Sequence, residues 1–523
     1  MISATDRVPP GRLVVMTLLF IALASCQKSQ SPELKPGTVP SPVSVVTQAA
    51  ANDEPIIAFC GGCHAMPKPD SFPKSAWYDE VKRGFDFYHQ SHRKDLSPPP
   101  LQPVVEYFRS RAPATLDASP DKSFSGPERV RFRSEEIPMR RSGGTDTKPA
   151  AISFVGHWPL QGPGSSLLFN DMANGGLYIA NLHGIQQSSD RIAELKHPAG
   201  ASGCDLNGNG LMDLVVADLG SFNPADHDRG RVMWLADVED ASRRSTTALI
   251  DGLGRVADVQ PADFDADGDI DLIVAEFGWH KTGRILYLRN DGDSISPKYI
   301  STVVDPRPGA IHVPVVDLNR DGRPDFVALI SQEFEVIEAF LNQGDGTFAK
   351  HSIHAANDPA FGSSGIQVVD MDGDGDADIL YSNGDMFDSF LIKPCHGIQW
   401  LENTGRFPYV PHRLTAFPGA HRALAGDLDG DGDLDIVAAA FLPAAVRESE
   451  AGKRLESLIW LEQLRHGEYI RHALETGNCL HAALDLTDLD GDGDLDIACG
   501  SFRDGGSSDQ SAVTIWWNET STP

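Results

Sequence analysis

No stretch of this 523-residue chain stays apolar for the roughly 20 residues that a membrane-spanning helix requires. The N-terminal run Leu13–Ser25 (LVVMTLLFIALAS) is too short and fits the apolar core of a signal peptide. Positive charge is scarce: 44 Lys and Arg face 74 Asp and Glu, and no basic stripe gathers along any segment. Nucleic acid is therefore excluded as a partner. There is no G-x-S-x-G and no Walker sequence, so neither a hydrolase nucleophile elbow nor a nucleotide loop is present. Cysteine is sparse too. Beyond three in N-terminal motifs, only Cys204, Cys395, Cys479 and Cys499 remain, with three pairings open and buried free thiols equally allowed. Hairpin register sets Cys479 opposite roughly residue 505, which argues against a Cys479–Cys499 bridge.

What the chain does have is acid in register. The formal net charge is −30, but much of it is local. Asp427, Asp429, Asp431, Gly432 and Asp435 fit D-x-D-x-D-G-x-x-D, and the frame recurs at Asp263/Asp265/Asp267/Asp271, Asp370/Asp372/Asp374/Asp378 and Asp488/Asp490/Asp492/Asp496. Two copies carry asparagine, Asp205/Asn207/Asn209/Asp213 and Asp317/Asn319/Asp321/Asp325. A decayed seventh reads Asn170/Met172/Asn174/Gly175/Tyr178. Calcium takes six to eight oxygens, which a short loop supplies by turning carboxylates and a carbonyl inward around a glycine. Six such ions would bring the charge to about −18; the expectation is four to six Ca²⁺.

These are not helical hands. Position 12, which carries the bidentate Glu of an EF-hand, is Val216, Val274, Ala328, Tyr381, Ala438 and Cys499. Short β-rich runs follow each loop, such as LIVAEF and DIVAAAF, then a third strand such as RILYLRN or SLIWLEQ. From Gly210 onward the loop glycines are 58, 54, 53, 57 and 61 residues apart. A fixed period of four antiparallel strands without intervening helices predicts propeller blades, and seven frames predict seven of them. Residues 150–523 thus resemble the FG-GAP/VCBS repeats of integrin-like propellers. The resemblance implies calcium between the first two strands of a blade, held by motif positions 1, 3, 5 and 9 and the carbonyl of position 7. The first blade, with only 35 residues between Gly175 and Gly210, is expected to lack a strand. Ala151–Trp158 (AISFVGHW) is expected to close the ring as the missing fourth strand of the last blade.

The N-terminus carries a second chemistry. Leu23-Ala24-Ser25-Cys26 resembles a bacterial lipobox, which implies a signal peptide over 1–26, lipidation of Cys26 and anchorage to a membrane in the periplasm or at the cell surface. Residues 27–54 are Ser/Pro-rich and read as a tether. Cys60-Gly61-Gly62-Cys63-His64 matches the c-type haem attachment motif: two thiols for thioether bonds and an adjacent imidazole for the iron. With two amphipathic stretches after the motif, residues 71–88 and 101–112, residues 55–113 resemble a small α-helical cytochrome c domain holding one covalent haem. Its sixth ligand is open among His89, His92 and Met139, or absent. Residues 114–149 read as a linker.

His312, His421 and His481 precede their acidic loops by five, six and seven residues, which sets them near the propeller face opposite the loops. His280, His396, Asp385 and the Asp226-His227-Asp228 cluster lie in loops returning to that face. These residues are candidates for a site at the propeller mouth; interblade packing is the alternative for the histidines. Three functions fit: an exported, membrane-anchored electron-transfer protein with the propeller as docking platform; a redox enzyme whose mouth feeds electrons to haem; or a surface propeller that binds carbohydrate or protein. The redox partner or substrate is not legible, and neither is whether the chain is an enzyme.

Overall fold

The computed structural model describes residues 53–124, 130–139, 148–159, 165–182, 188–292, 297–450, 453–504 and 511–520. The apolar leader, Cys26 and the tether lie outside them. Residues Ala51–Pro523 form one compact unit. Within it seven antiparallel sheets follow one another, each of four strand positions, which makes the protein a seven-bladed β-propeller.

Blade three shows how the sequence builds a blade. Val256–Ala262 is innermost, the acidic loop follows, and Asp271–Glu276, Arg284–Asn290 and Tyr299–Asp305 step outward. Every residue of the second strand is buried, and the same holds for Asp213–Asp218, Asp325–Ile330, Asp378–Asn383, Asp435–Ala440 and Asp496–Ser501. Neighbouring blades cover both faces of these strands, so they read as continuous apolar runs rather than alternating ones. The outermost strands are largely exposed, as Ile300–Val303 of Tyr299–Asp305 are.

Two expectations about the ring are corrected. The fourth strand of blade seven is Phe132–Pro138, which pairs antiparallel with Ser511–Asn518 from Phe132 opposite Asn518 to Ile137 opposite Val513. It falls in the stretch expected to be linker. Val155–Pro159 is instead the innermost strand of blade one, which is complete: Val155–Pro159, Ser165–Asp171, Gly176–Asn181 and Ser188–Glu194. The decayed motif at Asn170–Tyr178 is no acidic-loop copy. It forms the hairpin turn between the second and third strands of that blade, where Asp171 accepts the amides of Ala173 and Asn174.

The N-terminal helices are α1 (Glu54–Cys60), α2 (Trp77–Gln90) and α3 (Leu101–Arg111). Trp77 stacks on Phe108 with ring centres 4.1 Å apart, above Phe72, Val81, Val104 and Val105. Ala360 and Leu391 of blade five pack against the same cluster, so the helices are seated on the propeller. No helix among the described residues is long and apolar enough to cross a membrane.

Candidate functional site

The six acidic loops all join first to second strands, and their backbone geometry is repeated almost atom for atom. The position-1 aspartate accepts the amide of the motif glycine at 2.8–3.1 Å in every copy, Asp205 and Asp317 included. The position-3 oxygen accepts the amide of position 5, and the position-5 oxygen that of position 7. Such inward turning requires the motif glycine in the left-handed region, and all six have φ between +83° and +100°. Carboxylates of Asp263/Asp265/Asp271, Asp370/Asp372/Asp374, Asp427/Asp429/Asp431 and Asp488/Asp490/Asp492 converge to within 4.8 Å of one another. That donor set, hard oxygens only, suits Ca²⁺.

Twelve of the expected ligands stand outside these converging groups: Asp205, Asn207, Asn209 and Asp213, Asp317, Asn319, Asp321 and Asp325, and Asp267, Asp378, Asp435 and Asp496. In blade three Asp267 accepts the Asp269 amide at 2.9 Å, and the buried Asp271 completes the cluster in its place. The two asparagine-bearing loops gather no three acidic side chains, and their amides are used within the chain. Asn207 accepts the Asn209 backbone amide at 3.1 Å, while Asn209 Nδ2 donates to Asp237 at 2.8 Å. Asn319 Nδ2 donates to Asp321 at 3.0 Å, and Asp321 is ion-paired with Arg323, two residues on. An amide brings an oxygen without charge, and Asp321 is shared with a guanidinium, so these two loops offer a cation less negative charge than the all-aspartate copies do. The four all-aspartate loops thus offer a cation the most charge of the six.

The position-9 aspartates do something the motif does not announce. Asp213, Asp271, Asp325, Asp378, Asp435 and Asp496 are at most 1% exposed. One oxygen of each accepts the amide of loop position 2, and the other accepts an amide at the end of the third strand at 2.6–2.8 Å. Each therefore ties three strands together. Burial pushes Asp271, Asp378 and Asp496 up to about 6 and Asp435 to about 7.

On the opposite face the histidines separate. In six blades the innermost strand has a register shift near its start, between Ala420 and Arg422, His481 and Ala483, or Ala310 and His312, for example. A residue seven positions before the loop precedes the bulge, one six before lies in it, and one five before follows it. His481 precedes the bulge and is fully buried, its Nε2 2.6 Å from Glu475 Oε2, not at the mouth. His421 lies in the bulge, edge-on to Phe441 at 5.9 Å. His312 follows the bulge and meets Arg422 Nη1 at 3.3 Å. Burial lowers both His312 and His421, the latter to about 4, so both are neutral. His396 is also corrected: it is 1% exposed, beneath the mouth loops of blade five, with Lys393 N 3.4 Å from its Nδ1, and burial lowers it to about 3. Asp226 ties blade two to blade three by accepting the Lys281 and Thr282 amides, and His227 bonds Ser221.

Sequence reading missed a recurrent phenylalanine. It follows the position-9 aspartate by six residues at Phe277, Phe441 and Phe502 and by nine at Phe222, Phe334 and Phe387. The second strand ends there and turns over the mouth. Phe222–Phe502 and Phe387–Phe441 are stacked at 6.0 and 5.5 Å, and Phe441–Phe502 is edge-on at 5.3 Å, so four rings form a continuous collar.

The helices occupy the other side of that face. Lys68 Nζ donates to the Ala356 carbonyl at 3.1 Å, Ser71 Oγ donates to Asp358, Arg83 donates to the Asp388 carbonyl, and the Phe87 ring lies 4.7 Å from His280. Lys393 lies over the Phe72 ring. Cys60 ends α1, and the CGGCH motif turns away beside it. Both thiols are free. Burial pushes Cys60 up to about 11 and raises Cys63 although Arg93 opposes it, so neither is the low-pKa thiolate of a dithiol redox enzyme. His64 Nδ1 bonds the Ala65 carbonyl at 2.7 Å, which leaves Nε2 as the free nitrogen. Two free thiols at a helix end followed by an imidazole with Nε2 available fit a c-type haem. Met139 does not serve it: the residue is 3% exposed in the core of blades one and seven and bridges to Ser189. His89 and His92 are both exposed at the end of α2.

Glu335, on the mouth side of blade four, is 3% exposed and accepts the Ser363 amide at 2.9 Å and the Ser363 hydroxyl. Burial, with Asp385 adding its charge and the Ser363 bonds opposing, pushes it up to about 8. It is then neutral in the fold while ionised in the unfolded chain, so raising pH from about 4.5 to 8 favours unfolding. Thermal melts should show that loss of stability, a few kcal/mol at most, and Glu335→Gln should flatten it.

The class defined by fold and loops is a seven-bladed β-propeller with acidic loops between the first and second strands of six blades. The FG-GAP-like repeat family matches residues 263–328 and 317–381, blades three to five. Among curated proteins the chain is similar to cartilage acidic protein 1 of Mus musculus and of Homo sapiens, 30% identical over 166 residues in each case. That match covers 30% of this chain and 24% and 23% of the two relatives, so the chain spans about a quarter of their length. Among solved structures, the V. cholerae biofilm matrix protein Bap1 aligns over 74% of this chain and 91% of its own, at 11% identity and a TM-score of 0.37.

Proposed function

We propose that this is an exported c-type haem protein in which a small cytochrome segment is seated on the mouth of a calcium-stabilised propeller and exchanges electrons with a partner or substrate that the propeller face positions. The observation that carries the reading is the CGGCH turn itself: free Cys60 and Cys63, a His64 ring whose Nδ1 is held by a carbonyl, and helices fixed to blade five through Ala360, Leu391 and Asp358. A bound haem would supply one-electron transfer. Cys60 and Cys63 would hold it covalently and His64 would take one axial position, with His89 or His92 as the chain's candidates for the other. Calcium would belong to the scaffold, since the loops lie on the opposite face and the all-aspartate copies supply the coordinating oxygens themselves. The leader and Cys26 accord with export and a lipid anchor.

The test is the optical spectrum of protein produced with c-haem maturation. A reduced haem c spectrum that survives denaturation and disappears in Cys60→Ser/Cys63→Ser supports the reading. Colourless wild-type protein overturns it and leaves a binding propeller, the reading the FG-GAP repeats support without haem.

A further inference from the structure

Arg422 links three successive blades. Its strand belongs to blade six, yet Nη1 donates to the Ile366 carbonyl of blade five at 3.1 Å and meets His312 Nε2 of blade four at 3.3 Å. Blade five makes room with glycine: a Cβ on Gly365 would stand 3.3 Å from Arg422 Cδ and 3.0 Å from the His421 carbonyl oxygen. With Nη1 occupied, the free edge is Nε–Nη2, the fork that takes a carboxylate through two parallel bonds. Neither atom has an acceptor among the described residues, and neither is sealed from solvent.

Most arginines of the propeller are neutralised by the chain. Arg307 meets Asp305 and Glu338, Arg284 meets Glu276, Arg231 meets Asp218 and Arg471 meets Glu456. Among the described residues Arg422 has no carboxylate at ion-pair distance. The two that feel its charge, Asp258 and Asp485, are spent elsewhere. Asp258 accepts the amides of Val313 and Val259 and the Gln260 side chain, while Asp485 accepts the His157 amide at 2.6 Å. A guanidinium left without a carboxylate partner within the chain asks for an external anion. Directly before it in sequence, the His421 ring touches Phe441, the middle of the phenylalanine collar. Phe387, at one end of the collar, is 45% exposed.

We propose that Arg422 and the collar of Phe222, Phe387, Phe441 and Phe502 form a binding site for a small carboxylate with a flat apolar body, of which an aromatic acid is the simplest example. The carboxylate takes the Nε–Nη2 edge, and the apolar body lies among the rings, where edge and face contacts add to burial. The inference stands on the propeller alone and does not need haem, so a colourless protein would leave it standing.

The test is calorimetric titration of the full chain with benzoate, with benzyl alcohol and acetate as comparison probes. Benzoate should bind, and each comparison probe should bind about tenfold more weakly, lacking one half of the recognition. Arg422→Gln should weaken benzoate by about tenfold or more. Arg422→Lys keeps the charge and much of the stem but lacks the fork, and should lose most of the same affinity. Phe387→Ala, at an exposed position, should lose a few-fold while leaving the melting temperature unchanged. Absence of benzoate binding by the wild type, equal binding by benzyl alcohol, or undiminished binding by Arg422→Lys overturns the proposal.

Discussion

Chelating calcium with EDTA is expected to lower the melting temperature of the propeller by about 10–15 °C. The magnitude follows from mass action: a site filled at a hundred times its Kd contributes about 2.7 kcal/mol, and four three-carboxylate loops converge tightly enough to count. A body of roughly 370 residues unfolds with an entropy near 0.8 kcal/mol/K, so a loss of about 11 kcal/mol corresponds to that shift. Structure supplies the reason for destabilisation rather than mere loss of an ornament. In each of these loops the carboxylates crowd together, and the buried position-9 aspartate behind them ties loop and third strand. Without a cation their mutual repulsion is borne by the hairpin that carries the innermost strand. Calorimetry with and without Ca²⁺ checks it, and restoring Ca²⁺ should restore the melt. An unchanged melt would show the loops to be acidic turns.

Removing the closing strand should be nearly as costly. A chain begun at Lys148 lacks Phe132–Pro138, whereas one begun at Ser123 keeps it; both lack the helices and both retain Ala151–Trp158. The strand pairs along the whole of Ser511–Asn518, seats Ile137 without exposure, and is tied by Trp517 Nε1 to Glu135 at 3.0 Å and by Arg133 to Glu519 at 2.7 Å. Val130 and Met139, just outside it, are 1% and 3% exposed. Three buried apolar side chains at about 2 kcal/mol each put the loss near 6 kcal/mol, or about 8 °C. The shorter chain should also aggregate, because blade seven would then present an unpaired edge. Equal melting temperatures for the two chains would contradict this closure.

The closing strand was invisible in sequence for a physical reason. As an outermost strand, FRSEEIP turns a single fully buried apolar side chain inward, so it reads as polar linker. AISFVGHW reads as the better strand because an innermost strand is covered on both faces. The acidic loops were legible as a backbone pattern, since the turn around the motif glycine fixes their spacing residue by residue. Which oxygens converge was less so. Asn319 and Asp321 match the motif, yet Arg323 claims the carboxylate, and Asp267 yields its place to Asp271. Histidine spacing misled at His481 because a bulge makes five, six and seven residues upstream three different environments. His396 misled because loop position does not reveal burial. The phenylalanine collar was present in the sequence as a repeat, but its spacing is six in three blades and nine in three others, which hides it from a search for one period. Arg422 carried no motif; only the glycine opposite, Gly365, marks the space it uses.

One elemental analysis tests the account most directly. Protein produced with c-haem maturation, purified and exchanged into metal-free buffer, should contain one iron per chain and about four calcium ions, with the iron lost and the calcium retained in Cys60→Ser/Cys63→Ser. Wild-type protein without iron would contradict the haem protein proposed for the CGGCH segment, and protein without calcium would contradict the scaffold on which it is seated.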